Sequence, residues 1–124
     1  MKYALLLYAD EAAWEGLDPE AQAEVIAQHE DATQAMQAGG AYVGGEALDL
    51  TNTARTVRVR GSGPLITDGP FIEAKEALGG FYIVDCASTE EALEWAARLP
   101  EARVGGVEVR PLLEFGALEA AEAG

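Results

Sequence analysis

The chain has 124 residues, 49% of them apolar and 24% charged, which fits one domain with a real core and argues against a disordered chain. Acidic residues outnumber basic ones by 22 to 8, for a net charge of −14, and this repels nucleic-acid phosphates and anionic lipid surfaces alike. The lone Cys86 cannot form an internal disulfide, no apolar run reaches the ~20 residues of a membrane helix, and the apolar start runs into acidic residues rather than a cleavage site, so a cytoplasmic protein is expected.

Lys2 to Tyr8 is apolar at alternate positions on both faces, as in a central strand covered on both sides. Asp10 to Gly16 reads as an acidic loop carrying Trp14. Asp18-Pro19 then supplies an N-cap and a first-turn proline for a helix running to about Ala38. Its apolar stripe is Ala21, Val25, His29, Ala32 and Met36, which turns the only histidine toward the buried face or its edge. After Gly39-Gly40 a second strand passes through Gly44-Gly45-Glu46, where paired glycines predict a bulge or a close approach by a ligand or backbone.

Thr53 to Arg60 alternates as a half-solvated antiparallel strand, with Val57 and Val59 on one face, and Leu65 to Thr67 is expected to pair with it. Thr67 to Gly80 is the joint of the chain. Asp68-Gly69-Pro70 is turn chemistry, Phe71 an apolar anchor, and Glu73, Lys75 and Glu76 read as a solvated or ion-paired helical turn. Gly80 to Cys86 is a buried strand, Ser88-Thr89-Glu90-Glu91 has capping-box spacing for a second helix closed by Pro100, and Val107 to Phe115 is the last strand.

The two halves match as strand, capped helix, Gly-Gly and strand, with a hairpin inserted between them. A repeated βαβ with an antiparallel sheet is the ferredoxin-like α+β plan. Helices cover only one face of such a sheet, and an aliphatic opposite face predicts a homodimer with two sheets face to face, a dimeric α/β barrel. The single domain spans 1–115, and 116–124 is an Ala/Glu tail.

His29 suits general acid or base work, because an imidazole accepts or donates a proton near neutrality; a satisfied histidine at the core edge is the other reading. Asp68 is a candidate carboxylate, although a turn wants Asp there in any case. Glu46 beside the glycine pair signals a pocket, and Phe71 and Lys75 are candidate ligand contacts. One His and one Cys build no typical metal site, and no phosphate-binding glycine loop occurs, so neither metal nor cofactor is expected. Arg55, Arg58 and Arg60 form a basic strip that reads as a solvated strand face, with an anionic ligand as the alternative. Cys86, without a basic neighbour, reads as a small buried residue.

Asp68-Gly69-Pro70-Phe71, Glu73-Ala74-Lys75-Glu76, Leu78-Gly79-Gly80-Phe81-Tyr82, Gly45-Glu46 and Val107-Glu108-Val109-Arg110-Pro111 together resemble the DGPF branch of the YCII-related family, from Lys2 to about Leu113. The resemblance implies a bacterial, soluble, dimeric α/β barrel with a pocket between sheet and helices or near the dimer seam, and no assigned reaction. In the YCII branch a helix histidine and the aspartate of an Asp-Pro pair are taken as a site. The histidine matches His29, while the Asp-Pro position here is Leu99-Pro100, which leaves Asp68 or Glu46 to supply the carboxylate. The expected function is a cofactor-free small-molecule enzyme or ligand-binding protein working by proton transfer, as in isomerase, lyase or cyclase steps. The alternative is a non-catalytic regulatory or ligand-sensing dimer, since some members of the branch are encoded beside extracytoplasmic-function sigma factors.

Overall fold

In the computed structural model, residues 1–116 are described; the Ala/Glu tail expected from Ala117 onward lies outside them. The elements run β1 (Lys2–Asp10), α1 (Glu11–Glu15), α2 (Pro19–Ala38), β2 (Tyr42–Ala47), a 3-10 turn (Thr51–Thr53), β3 (Arg55–Arg60), β4 (Gly63–Asp68), β5 (Glu76–Asp85), α3 (Thr89–Ala97), α4 (Glu101–Val104) and β6 (Gly106–Pro111). This is a mixed α+β architecture in which β2-β5-β1-β6 form one sheet and β3-β4 another, and all the pairings are antiparallel. The four-stranded sheet is open, with β2 and β6 at its edges, and no closed barrel forms within the single chain. Among the described residues no helix is long and apolar enough to cross a membrane.

Local chemistry explains the two principal helices. Asp18 accepts a bond from the Ala21 amide at 2.8 Å, and Pro19 follows it as the first helical residue. Ser88 accepts from the Glu91 amide at 3.2 Å, while the Glu91 carboxylate accepts from the Ala87 amide at 2.8 Å, one residue beyond the Ser88 amide that a standard capping box engages. Strand alternation then sets the core. Tyr3, Leu5 and Leu7 of β1 lie opposite Val84, Tyr82 and Gly80 of β5 and pack with Met36 and Ala32 of α2 and Ala92, Ala96 and Leu99 of the α3 region. Cys86 is buried in the same core, and burial pushes its thiol pKa up, with the Glu91 and Asp85 carboxylates adding to the rise. The other face of the sheet carries Ala4, Leu6, Tyr8, Phe81 and Ile83, and the last four are only half-buried.

Three local expectations are corrected. Asp10 to Gly16 is not a loop: Asp10 caps the Ala12 amide at 3.0 Å and starts α1. Glu73 to Glu76 is not a helical turn, because 71–75 is irregular and Glu76 already opens β5 as the partner of Asp10. Val57 and Val59 do not rest on the core: β3 and β4 pair only with each other, so Val59 stays 69% exposed and Ile66 opposite Val57 is exposed too. The turn at Asp68-Gly69-Pro70 forms with Gly69 at φ 98°, a conformation that glycine alone adopts cheaply.

Candidate functional site

The paired glycines of β2 have structural consequences of two kinds. The register slips between Tyr42 and Gly44, a bulge that leaves Val43 without a partner. Gly45 faces Tyr82 so closely that a Cβ there would meet the Phe81 carbonyl oxygen at 2.8 Å and the Tyr82 ring at 3.0 Å. The missing side chain therefore leaves room against β2 for the Tyr82 ring. Tyr42 packs on it edge-to-face, with centroids 6.5 Å apart.

His29 meets the hydroxyl end of the Tyr82 ring, its imidazole within 18° of the phenol plane and the ring centroids 5.9 Å apart. Both ring nitrogens are engaged. Nδ1 lies 2.8 Å from the Tyr82 hydroxyl and Nε2 lies 2.9 Å from Glu101 Oε2. The Tyr82 hydroxyl is also 3.4 Å from Thr33 Oγ1, whose own proton goes to the His29 carbonyl one helical turn back, at 2.8 Å. A carboxylate accepts only, so Nε2 carries the proton toward Glu101, and Nδ1 of the neutral ring then accepts from the Tyr82 hydroxyl. Glu101 and His29 side chains are 17% and 23% exposed. Burial, with the Glu101 charge as a smaller contribution, raises the Tyr82 pKa against a lowering effect from Thr33, so the phenol stays protonated through neutral pH. Glu101 Oε1 is buried and has no hydrogen-bond partner among the described residues.

These three side chains line a cavity of about 720 Å³ between α2 and the sheet. Trp14 of α1, Val25 and Ile26 of α2, and Leu48 and Leu50 of the segment after β2 supply apolar walls. Glu11 fixes that segment by accepting from the Thr51 amide at 3.0 Å and the Thr51 hydroxyl at 3.0 Å. Among the described residues no three His, Cys, Asp or Glu side chains gather as a metal-binding group.

Of the residues singled out from the sequence, His29 and Glu46 border the cavity. Asp68, Phe71 and Lys75 do not. Asp68 ends β4 with its side chain in solvent, 3.5 Å from Arg55 Nε, and Phe71 lies under the Arg58 guanidinium at 4.7 Å, itself 67% exposed. Neither Asp68 nor Glu46 partners His29; Glu101 does. The position before Pro100 holds Leu99, and the carboxylate that meets His29 stands directly after that proline, where Glu101 occupies the first turn of α4. Tyr82 carried its own signal, since a tyrosine inside a buried strand needs a partner for its hydroxyl.

The chain is thus an antiparallel α+β domain with Tyr82, His29 and Glu101 linked in the wall of a largely apolar cavity. The chain matches the YCII-related domain over residues 1–116, and it belongs to the YCII-related family. It is similar to an uncharacterized protein of Rhizobium meliloti (strain 1021), 39% identical over 115 residues that cover 90% of this chain and 92% of that protein.

Proposed function

We propose that this protein is a cofactor-free small-molecule enzyme that transfers protons in the α2 cavity, and that it belongs to the DGPF branch of its family. The observation that carries this reading is the doubly bonded His29, held by Tyr82 at 2.8 Å and Glu101 at 2.9 Å in the cavity wall. With both nitrogens committed, a substrate proton reaches the ring through the Tyr82 oxygen. Tyr82 gives its proton to Nδ1, the resulting imidazolium is stabilised by the Glu101 carboxylate, and the phenolate takes a proton from a carbon or oxygen acid in the cavity. Reversal returns the proton to another atom of the substrate, which is an isomerisation; loss of a leaving group first makes it a lyase step. The neutral phenol and the orienting carboxylate are what such a relay needs at neutral pH. Asp68, Phe71 and Lys75 have no part in this step, and Glu46 contributes at the cavity margin.

Deuterium uptake tests it. Carbonyl compounds with an acidic α-proton are incubated with the protein in heavy water and followed by NMR. Wild type is expected to accelerate exchange for at least one of them, and Tyr82→Phe or His29→Ala to reduce that rate by about 10²–10⁴-fold. A wild-type protein that accelerates none of them would favour a binding or sensing role.

A homodimer belongs to this proposal. Leu6, Tyr8, Phe81 and Ile83 form the sheet face opposite the helices, and a second copy laid on it gives the two-sheet barrel of ferredoxin-like subunits. Analytical ultracentrifugation at micromolar concentration should show twice the chain mass, and a monomer there would overturn the dimer.

The regulatory reading draws on a different feature, the exposed hairpin of β3 and β4, where Val57, Val59 and Ile66 stand beside Arg55, Arg58 and Arg60. Apolar side chains so exposed mark an interaction surface. It would be favoured over catalysis if removing the hairpin abolished partner binding while the deuterium test stayed negative.

A further inference from the structure

The charge of the cavity is as one-sided as its walls are apolar. Asp10, Glu11, Glu30, Glu46, Asp49 and Glu101 border it, and no Lys or Arg does among the described residues. All eight basic residues lie elsewhere: Lys2, three on the hairpin at Arg55, Arg58 and Arg60, Lys75, Arg98, Arg103 and Arg110. A second hollow of about 760 Å³ makes the contrast, since Arg98 and Arg103 border it. Phosphate and carboxylate ligands are normally held by arginine, lysine or helix N-terminal amides, and here they would meet carboxylates instead. The aromatic lining adds to this, because Trp14, Tyr42 and Tyr82 are the ring types that attract a cation through their faces.

We infer that the α2 cavity takes an organic cation, a small molecule with an amine head and an aliphatic or aromatic body, and rejects carboxylates and phosphates. The inference rests on the proposed site and names its substrate class. The amine is drawn by the carboxylates, the body fills the wall of Trp14, Ile26, Leu48 and Leu50, and the reacting proton lies toward Tyr82.

Three probes of one body and different charge test the claim: 2-phenylethylamine, 2-phenylethanol and phenylacetate. Binding is read on the ring signals of His29, the only histidine in the chain, which borders this cavity and is absent from the border of the arginine-lined one. The amine is expected to shift these signals with an affinity about tenfold above the alcohol, and phenylacetate to shift them about tenfold more weakly still or not at all. The preference for the amine should shrink as salt rises. In a Glu30→Gln/Asp49→Asn protein, altered only at exposed positions that border the cavity, the amine should lose several-fold in affinity while the alcohol keeps its own. Phenylacetate binding at His29 as tightly as the amine would overturn the cation assignment while leaving the site standing. Silence from all three probes at millimolar concentration would also overturn it, and the deuterium test, which does not depend on charge, would then decide separately whether the site works at all.

Discussion

Gly105→Ala is expected to be among the most damaging single-methyl changes in the chain, costing about 3 kcal/mol or more of folding stability. A Cβ at Gly105 would overlap the Tyr8 carbonyl oxygen and crowd Ala9 Cα at 3.0 Å, and these are β1 backbone atoms that cannot rotate away. Relief requires β6 to move off β1, which breaks the Tyr8–Gly106 pairing and draws Val107 and Val109 from the core edge. Gly106→Ala is the control, because a Cβ there meets nothing within 4 Å. Urea unfolding should place Gly106→Ala within about 1 kcal/mol of wild type and Gly105→Ala far below both, the control's allowance being the cost of a strand glycine exchange. Since α4 lies immediately before Gly105, the same displacement would carry Glu101 away from His29. Equal midpoints for the two variants would show that the crowding is absorbed without cost.

The His29 and Glu101 side chains should prove strongly coupled in a double-mutant cycle. His29→Ala leaves the Tyr82 hydroxyl and the Glu101 carboxylate without their shared partner, and Glu101→Ala strands Nε2; each single change should cost about 1–3 kcal/mol. The double variant removes both ends of the Nε2 bond together, so its cost should fall short of the sum by about 1 kcal/mol. Additive costs would mean that the two groups merely lie near each other. An exposed ion pair would give a much smaller coupling, and the low exposure of both side chains is the reason to expect more.

Much of the scaffold was legible because its signals are local. Asp18-Pro19 and Ser88-x-x-Glu91 bring their own hydrogen-bonding chemistry, so both helices start where the sequence places them. The alternation of Tyr3, Leu5 and Leu7 likewise identified a core face. What escaped depends on contacts across the chain. Helix α1 is stabilised from 40 residues away, through Glu11 and Thr51, and the exposure of Val57 and Val59 could not be read from alternation, which tells faces apart but not what covers them. The site was half legible. His29 stood out as the only histidine on a buried stripe, whereas Glu101 followed a helix break that hid the direction of its side chain, and Tyr82 was read only as strand core.

His29 is held between Tyr82 and Glu101, and the proposed proton relay depends on that arrangement. Nitrogen-detected NMR of the 15N-labelled imidazole, in wild type and in Tyr82→Phe and Glu101→Gln, tests it most directly. A proton fixed on Nε2 that exchanges slowly with water is expected in wild type, with faster exchange in Glu101→Gln and a shift confined mainly to Nδ1 in Tyr82→Phe. An Nε2 proton that exchanges freely in wild type, with neither variant changing either nitrogen, would contradict it.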